Sequence, residues 1–302
     1  MANRIIEIST SGRHLSAFRG FLKISESGQE VARVALDDIC AVIIAAHGIT
    51  FSNDLIVRLA SKNIWLVSCG KNYQPASWLW PADSHSLEAQ RIDFQIALPK
   101  ATKRQIWADI VRSKIRGQIE VLAALDKSTK RLDRLLKEVR SGDGDNREAV
   151  AAQVYWPSLF GTDFRRNREL PGTNAALNFG YTILRSCVCR AIAGSGLHPN
   201  IPLHHSNKYS SFRLADDLME VFRPLVDFQV VCVRDSVESE GLTPAIKKTL
   251  AGIVEKEILI DDSRYQLVEA TTRIAHSLVA VTTSEVKRLR LPTSLCIHSV
   301  VE

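Results

Sequence analysis

The amino-acid sequence predicts an α+β protein in which a small β domain precedes a larger all-α domain. Over the first 80 residues, short segments rich in β-branched residues are separated by polar or glycine-containing turns, as in strands. From about residue 88 onward, apolar residues recur at intervals of three and four, as in helices. Pro81 and small polar residues interrupt both patterns. They predict a linker over 81–88, between domains at 1–80 and 89–302.

Five segments of the first domain are predicted strands. They are RIIEIS, HLSAFRGFLKI, EVARVAL, ICAVIIA and NIWLVSC. One helix is expected among them over NDLIVRLASK, because Ser52 is a good N-cap residue. Leu55, Ile56 and Leu59 then recur at helical spacing.

The helices of the second domain are predicted from the spacing of three and four. Prolines and glycines fall between the periodic segments, where helices end. The segments are 106–125, 127–140, 147–156, 174–193, 214–223, 244–257 and 263–282.

The composition is that of a globular protein without a membrane segment. Of the 302 residues, 45% are hydrophobic and 24% are charged. No apolar run approaches the roughly 20 residues that span a bilayer. The N-terminus lacks an apolar signal core, and the six cysteines are scattered without a CxxC pair. We therefore expect a cytoplasmic protein with reduced thiols, and neither a zinc ribbon nor a disulfide framework.

The positive charge of the chain indicates a polyanionic partner. Its formal net charge is +6 and its pI is near 9.0. Basic residues gather on separate elements, which suits a surface that follows a nucleic-acid backbone. Each cluster by itself is better explained as a solvated face. The clusters are Lys127, Lys130, Arg131, Arg134, Lys137 and Arg140; Arg165, Arg166 and Arg168; and Lys287, Arg288 and Arg290.

The stretch LHHSNKYSSFRLADDLMEVFRP carries the first candidate site. Asp216 and Asp217 precede Glu220 by four and three residues on the polar side of a predicted helix, so the side chains are neighbours. A divalent cation would turn their repulsion into affinity, and His204 and His205 in the preceding loop would add nitrogen ligands. The alternative is a solvated acidic face near a helix N-terminus, where the dipole favours carboxylates.

Glu148 is a further candidate carboxylate, in the first turn of the predicted helix REAVAAQVYW. Small residues beside it would let a ligand approach, although a glutamate in a first turn also stabilises the helix dipole without any ligand. The chain has no Walker A sequence, no GxGxxG after a strand, no GxSxG and no HExxH. Catalysis would therefore depend on the histidine and carboxylate set.

Together these segments resemble one family, CRISPR-associated protein 1, the integrase that inserts new spacers into CRISPR arrays. The resemblance covers essentially the whole chain and is strongest to the type II branch. Pro202 departs from the family pattern, since a glycine is expected before the histidine pair. The segments that carry the resemblance are REAVAAQVYW, TNAALNFGYTILRS, GLHPNIPLHHSNKYSSFRLADDLMEVFRPLVD and the LEAQ junction after the β-rich half.

The resemblance implies an architecture and an assembly. Family members have an N-terminal β-sandwich, which takes part in dimerisation, and a C-terminal helical catalytic domain. They form homodimers, and two homodimers flank a dimer of CRISPR-associated protein 2 in a heterohexameric complex. For this chain we therefore expect these partners, double-stranded DNA from the protospacer and the CRISPR repeat, and further type II adaptation proteins.

The resemblance also implies the site residues. The family's metal ligands correspond to Glu148, His205 and Glu220, which would bind Mg²⁺ or Mn²⁺ and act in catalysis. Asp217 corresponds to a second acidic position beside the site, and His204 is assigned a supporting role. Apart from the resemblance, four cationic residues are assigned to DNA phosphates, the alternative being a surface or structural ion pair at each: Lys208, Arg165, Arg166 and Arg223.

The expected function is that of a metal-dependent integrase and endonuclease. In spacer integration the nucleophile is a 3′-hydroxyl of the incoming DNA, so the protein needs no nucleophilic side chain of its own. Two alternatives remain at this point. One is a structure-selective nuclease that acts on branched DNA, and the other is a non-catalytic DNA-binding scaffold.

Overall fold

The computed structural model describes residues 4–82, 84–205 and 212–298, and its N-terminal part consists of two four-stranded sheets. The segment HLSAFRGFLKI forms two strands rather than one, because Arg19 and Gly20 turn the chain with φ values of 48° and 85°. The strands are β1 (Arg4–Ile8), β2 (Arg13–Phe18), β3 (Phe21–Glu26), β4 (Gln29–Ala35), β5 (Ile39–Ile44), β6 (Thr50–Phe51), β7 (Trp65–Cys69) and β8 (Pro75–Leu79).

The two sheets form a sandwich. The first sheet has the order β1-β5-β7-β8, with β5 parallel to both of its neighbours, and the second has the order β4-β3-β2-β6. Leu15 and Leu22 of the second sheet and Val42 of the first belong to one buried cluster. Helix α1 (Asn53–Ser61) adds Leu55 to this cluster, and its predicted N-cap is confirmed because the Ser52 hydroxyl accepts from the backbone N–H of Leu55 at 3.2 Å.

The central strands β5 and β7 are buried on both faces. Val42 packs into the sandwich, whereas Cys40, Ile43, Trp65 and Val67 belong to the core of the helical part. Continuous burial of this kind is typical of the inner strands of a sheet covered on both sides. The sandwich and the helical part therefore share one sheet.

The rest of the chain is mostly helical, which confirms the predicted fold class. None of its described helices of 18 residues or more is apolar enough to cross a membrane. The helices are α2 (Glu88–Ala97), α3 (Lys100–Ala124), α4 (Lys130–Glu138), α5 (Arg147–Phe160), α6 (Thr173–Gly194), α7 (Arg213–Met219), α8 (Arg223–Cys232), α9 (Arg234–Glu240), α10 (Pro244–Ala251) and α11 (Leu267–Thr282).

A short hairpin interrupts the helical part where the sequence predicts helix. Strands β9 (Glu257–Ile260) and β10 (Ser263–Gln266) pair antiparallel around Asp261 and Asp262, which have φ values of 47° and 62°. Aspartate tolerates this left-handed region better than most residues, so the pair forms a turn. The predicted helix 263–282 consequently begins later, at Leu267.

Helix α6 is the centre of the helical part and lies almost entirely buried. It packs on α8 and on β5, while α3 packs on α5 and α8. A Cβ atom at Gly180 of α6 would lie 2.5 Å from Val226 Cγ1 of α8, so only glycine allows this approach. This packing brings α3, α5 and the α7–α8 junction together around one cavity.

Candidate active site

Glu148 is held at the start of α5 by a carboxylate that the sequence reasoning missed. Asp143, which is buried, accepts from the backbone N–H of Arg147 at 2.9 Å and of Glu148 at 3.0 Å. It caps α5 from outside the helix, since the residue directly before α5 makes no side-chain cap. The run GDGDNRE, with its glycines and acidic residues before a helix, is the signal that could have found it.

Glu220 lies where α7 tightens into a 3₁₀ turn before α8, and it is only 5% exposed. Its Oε1 accepts from Arg223 Nε at 2.7 Å, and its Oε2 lies 2.6 Å from Lys114 Nζ. Burial opposes ionisation of the carboxyl group, but Arg223 and Lys114 outweigh it and lower the pKa of Glu220 to about 2. Glu220 is therefore a carboxylate throughout the physiological pH range.

Lys114 of α3 joins the two glutamates. Its Nζ lies 2.6 Å from Glu148 Oε1 and 2.6 Å from Glu220 Oε2. Burial disfavours the ammonium, but Glu220 and Glu148 outweigh this effect and raise the pKa of Lys114. The sequence does contain a signal for this residue, because Lys114 stands between the apolar residues Val111 and Ile115 on a helix stripe that faces the core.

Asp217 holds the His205 ring and the preceding loop in position. It is 0% exposed and accepts three backbone N–H groups, from Leu203 at 2.7 Å, His204 at 3.0 Å and His205 at 3.1 Å. Its Oδ1 also lies 2.6 Å from His205 Nδ1, and this hydrogen bond raises the pKa of His205. Because the proton of a neutral His205 is then held on Nδ1, its Nε2 lone pair is left for a ligand.

The other two candidate residues of the stretch, His204 and Asp216, have different partners. His204 is exposed and stacks on Trp107, with ring centres 4.2 Å apart and planes inclined by 2°. Asp216 forms an ion pair with Arg185 of α6. The three carboxylates look equivalent on a helical wheel, but their partners differ. Asp216 pairs with Arg185, Asp217 binds the loop before α7, and Glu220 contacts Lys114 and Arg223.

These elements surround a cavity of about 510 Å³ that is lined by His205, Glu220 and Lys114. Four guanidinium groups reach it from three segments, and together with Lys114 they outnumber the three carboxylates that line it, those of Asp216, Glu220 and Asp227. Trp78, Trp156 and Phe212 supply aromatic walls. The four arginines are Arg166, Arg168, Arg185 and Arg223.

The structure separates the residues predicted to bind DNA. Arg166 and Arg223 line the cavity, and Arg166 is held there by Asn174 at 3.0 Å and Asn178 at 2.6 Å. Arg165 lies outside it and donates to the carbonyl groups of Thr162 and Phe164. Lys208 lies outside the described residues. Sequence reasoning did not assign Arg168 and Arg185 to the site.

The donor atoms suit a divalent metal ion in type, although the ligands are not yet gathered around one point. Within the described ranges, no three His, Cys, Asp or Glu side chains are grouped so that they could hold a metal ion. The Lys114 ammonium lies between two of the expected ligands, Glu148 and Glu220, where a metal ion is expected. Carboxylate oxygens with an imidazole nitrogen fit Mn²⁺ or Mg²⁺. The assignment of Glu148, His205 and Glu220 as metal ligands stays a prediction.

Comparisons with known proteins address the identity of the whole chain. Residues 6–239 match the family model described as CRISPR associated protein Cas1. The chain is 34% identical over 289 residues to the CRISPR-associated endonuclease Cas1 of Neisseria meningitidis serogroup C (strain 8013), and the match covers 94% of each protein.

Two solved structures share the fold. A casposase bound to integration product matches with a TM-score of 0.80 and 20% identity, over 95% of this chain and 92% of that one. A Cas6-RT-Cas1--Cas2 complex matches with a TM-score of 0.74 and 17% identity, over 94% of this chain and 35% of that one. Since the family model spans most of the chain and a relative is 34% identical over nearly all of it, the chain belongs to the CRISPR associated protein Cas1 family.

Proposed function

We propose that the protein is a divalent-metal-dependent DNA integrase and endonuclease of CRISPR adaptation, which inserts protospacer DNA at a repeat by attack of a 3′-hydroxyl on a phosphodiester. The observation that carries the proposal is the cavity itself, which is lined by His205 and Glu220 together with four arginines. Acidic and imidazole donors beside clustered guanidinium groups suit a phosphodiester that is held by arginines and activated by a metal ion.

The cavity also favours an external nucleophile. Among the described residues that line it there is no serine, threonine or cysteine, and the single tyrosine is Tyr181. The Tyr181 hydroxyl donates to Asp227, and burial raises the pKa of Tyr181 well above its usual value. Tyr181 therefore stays protonated and engaged, which leaves a hydroxyl from outside the protein as the attacking group, from the DNA 3′ end in integration or from water in cleavage.

Glu148, His205 and Glu220 are the proposed ligands of Mg²⁺ or Mn²⁺. When bound, the ion would polarise the scissile phosphate and lower the pKa of the attacking hydroxyl. Asp217 orients His205 for this role and keeps its proton on Nδ1. The buried Glu220 Oε2 lies 2.6 Å from the Lys114 ammonium, which shows that this oxygen is placed to bind a cation.

The DNA path follows the guanidinium groups of the cavity. Arg166, Arg168, Arg185 and Arg223 would contact phosphates on both sides of the reacting bond. Trp78 and Trp156 offer ring faces on which an unpaired base can stack. Arg165, on the outer surface, and Lys208 are proposed as weaker phosphate contacts.

The assembly is proposed from the fold relationship and the surface. The Cas1–Cas2 neighbour supports a complex with CRISPR-associated protein 2, built from homodimers, in the cytoplasm. Exposed large apolar residues on the second sheet support dimerisation through the N-terminal domain. The residues are Phe18, Phe21, Val31 and Phe51. The domain limits, the type II branch and further adaptation partners remain predictions.

The proposal is tested with a short DNA duplex, a repeat-containing plasmid and Mn²⁺. Glu148→Ala and Glu220→Ala should abolish joined products, whereas Glu269→Ala, on the exposed face of α11, should join DNA like the wild type. Joined products from both the Glu148→Ala and the Glu220→Ala variants would refute the proposal. Nicked plasmid without joined strands from the wild type would instead support a structure-selective nuclease.

A further inference from the structure

We propose that Lys114 is a tethered cation that occupies the metal position in the free protein, and that metal binding moves its ammonium into the cavity as a phosphate contact. The inference rests on the proposed function, because it takes Glu148 and Glu220 as metal ligands. It adds a residue that links the loading of the metal to the binding of DNA.

The distances make the two cations mutually exclusive. Lys114 Nζ is 2.6 Å from one oxygen of Glu148 and 2.6 Å from one oxygen of Glu220, on two different elements. A divalent ion held by Glu148 and Glu220 through these oxygens would need the place that the ammonium occupies. The metal ion must therefore displace a cation from Glu220, both of whose oxygens are already next to one.

Lys114 is the cation that can leave. Arg223 donates to Glu220 Oε1 at 2.7 Å, and its guanidinium lies 4.6 Å from the centre of the Tyr181 ring, so two contacts fix it. Lys114 donates to Glu148 Oε1 at 2.6 Å and lies 2.6 Å from Glu220 Oε2, but its ammonium ends a flexible four-carbon chain and, among the described residues, is held by these carboxylates alone. The ammonium can therefore move away by rotation of its own side chain, whereas Arg223 is also held by the Tyr181 ring.

The cavity gives the displaced ammonium a destination. Lys114 lines it, and so does Gln118, one turn further along α3. Exchange of one bridging ammonium for a divalent ion leaves the lysine charge in addition to the ion, so the cavity gains two positive charges. A DNA phosphate would then be bound more tightly, and by thermodynamic reciprocity DNA would tighten the metal by the same factor.

Calorimetric titration with MnCl₂, in the absence of DNA, tests the competition. Lys114→Met should bind Mn²⁺ about tenfold more tightly than the wild type, because two carboxylates lose the cation that competes for them. Lys247→Met is the matched control, since Lys247 is also buried and pairs with a carboxylate but lies outside the cavity. It should leave Mn²⁺ affinity unchanged. Equal or weaker binding by Lys114→Met would overturn the proposal.

A second measurement covers the case in which Lys114→Met folds poorly. Lys114→Gln keeps a polar side chain without the charge, and its melting temperature should rise more on addition of Mn²⁺ than that of the wild type. A short duplex should increase wild-type Mn²⁺ affinity severalfold and should have a clearly smaller effect on Lys114→Gln. Equal coupling by DNA in both proteins would contradict the second half of the proposal.

The outcomes also separate this inference from the proposed function. If wild-type protein binds no Mn²⁺, or if Glu220→Gln binds it as well as the wild type, the metal site and the inference both fail. If the wild type binds Mn²⁺ through Glu220 but the lysine variants bind it no more tightly, only the role of Lys114 fails.

Discussion

Two buried lysines of this protein make similar contacts and differ in what surrounds them. Lys247 of α10 lies 2.8 Å from Glu7 of β1, one cation beside one carboxylate, and its ammonium is 4.9 Å from the centre of the Tyr73 ring. Lys114 lies between two carboxylates, one of which is shared with Arg223, at the wall of an open cavity.

The difference shows how a structural ion pair can be told from a functional one. The Lys247–Glu7 pair joins the helical part to the sandwich and does not line the cavity. The Lys114 cluster opens on space that a ligand can enter, and its acidic groups come from separate elements. Burial and ion pairing are thus common to both sites, and access to a cavity distinguishes them.

The largest effect should come from replacing a carboxylate of the Lys114 cluster, which consists of Lys114, Glu148, Glu220 and Arg223. Glu220→Gln removes a charged ligand but keeps the shape, so strand transfer should fall by about a hundredfold or more, the equivalent of several kcal/mol of transition-state stabilisation. Glu7→Gln, the corresponding change in the Lys247–Glu7 pair, should leave the rate of strand transfer unchanged. Quantified joining of a labelled duplex measures both rates. Equal losses in the two variants would mean that access to the cavity does not distinguish the two lysine sites.

Asp217→Asn should come next, because it disturbs the site indirectly, through the His205 ring and the backbone of the loop before α7. Loss of an outer carboxylate partner typically lowers metal affinity or activity by about 10–100-fold. The amide also cannot favour the protonated imidazole, so the pKa of His205 should fall. Mn²⁺ titration and NMR titration of the His205 ring measure the two effects, and an unchanged pKa would contradict this role for Asp217.

The pH dependence of the site follows from the raised pKa of His205. In the metal-free protein the protonated ring contributes stability that is complete below 6.5 and is lost as the pH rises through the raised pKa. Mn²⁺ needs the neutral ring, so its affinity should increase over the same pH range. Melting curves and Mn²⁺ titrations between about pH 6 and 8 should therefore show opposite trends, both absent in His205→Ala.

Lys247→Met should affect stability but not chemistry. It leaves the largely buried Glu7 without its cation, which should lower the free energy of unfolding by about 1–3 kcal/mol. Chemical denaturation measures this loss, and unchanged stability would mean that Glu7 finds other partners.

The smallest effect is expected at the outer surface. Arg165→Ala should reduce strand transfer by no more than about twofold, since its guanidinium donates to nearby carbonyls outside the cavity. Arg166→Ala, by contrast, removes a cavity contact and should weaken duplex binding and its salt dependence. If Arg165→Ala weakened DNA binding more than Arg166→Ala in a filter-binding series, the DNA path would cross the outer surface instead.

Most of the fold and part of the site could be predicted from local patterns in the sequence. The Ser52 cap and the continuously apolar strand ICAVII depend on neighbouring residues, and both are present. Lys114 could not be assigned, because its partners on α5 and after α7 are set by how three elements pack. Asp216 and Asp217 also look alike in sequence, and only tertiary contacts send one to Arg185 and the other to the loop before α7.

The strands that are buried on both faces constrain how the protein can be made. While the chain is being synthesised, β5 and β7 emerge long before α6, which covers their second face. Until then Ile43, Trp65 and Val67 form an exposed apolar surface. A fragment that ends at residue 80 would keep that surface permanently and aggregate. The N-terminal sheets therefore need the helical part in the same chain to become a stable folded unit.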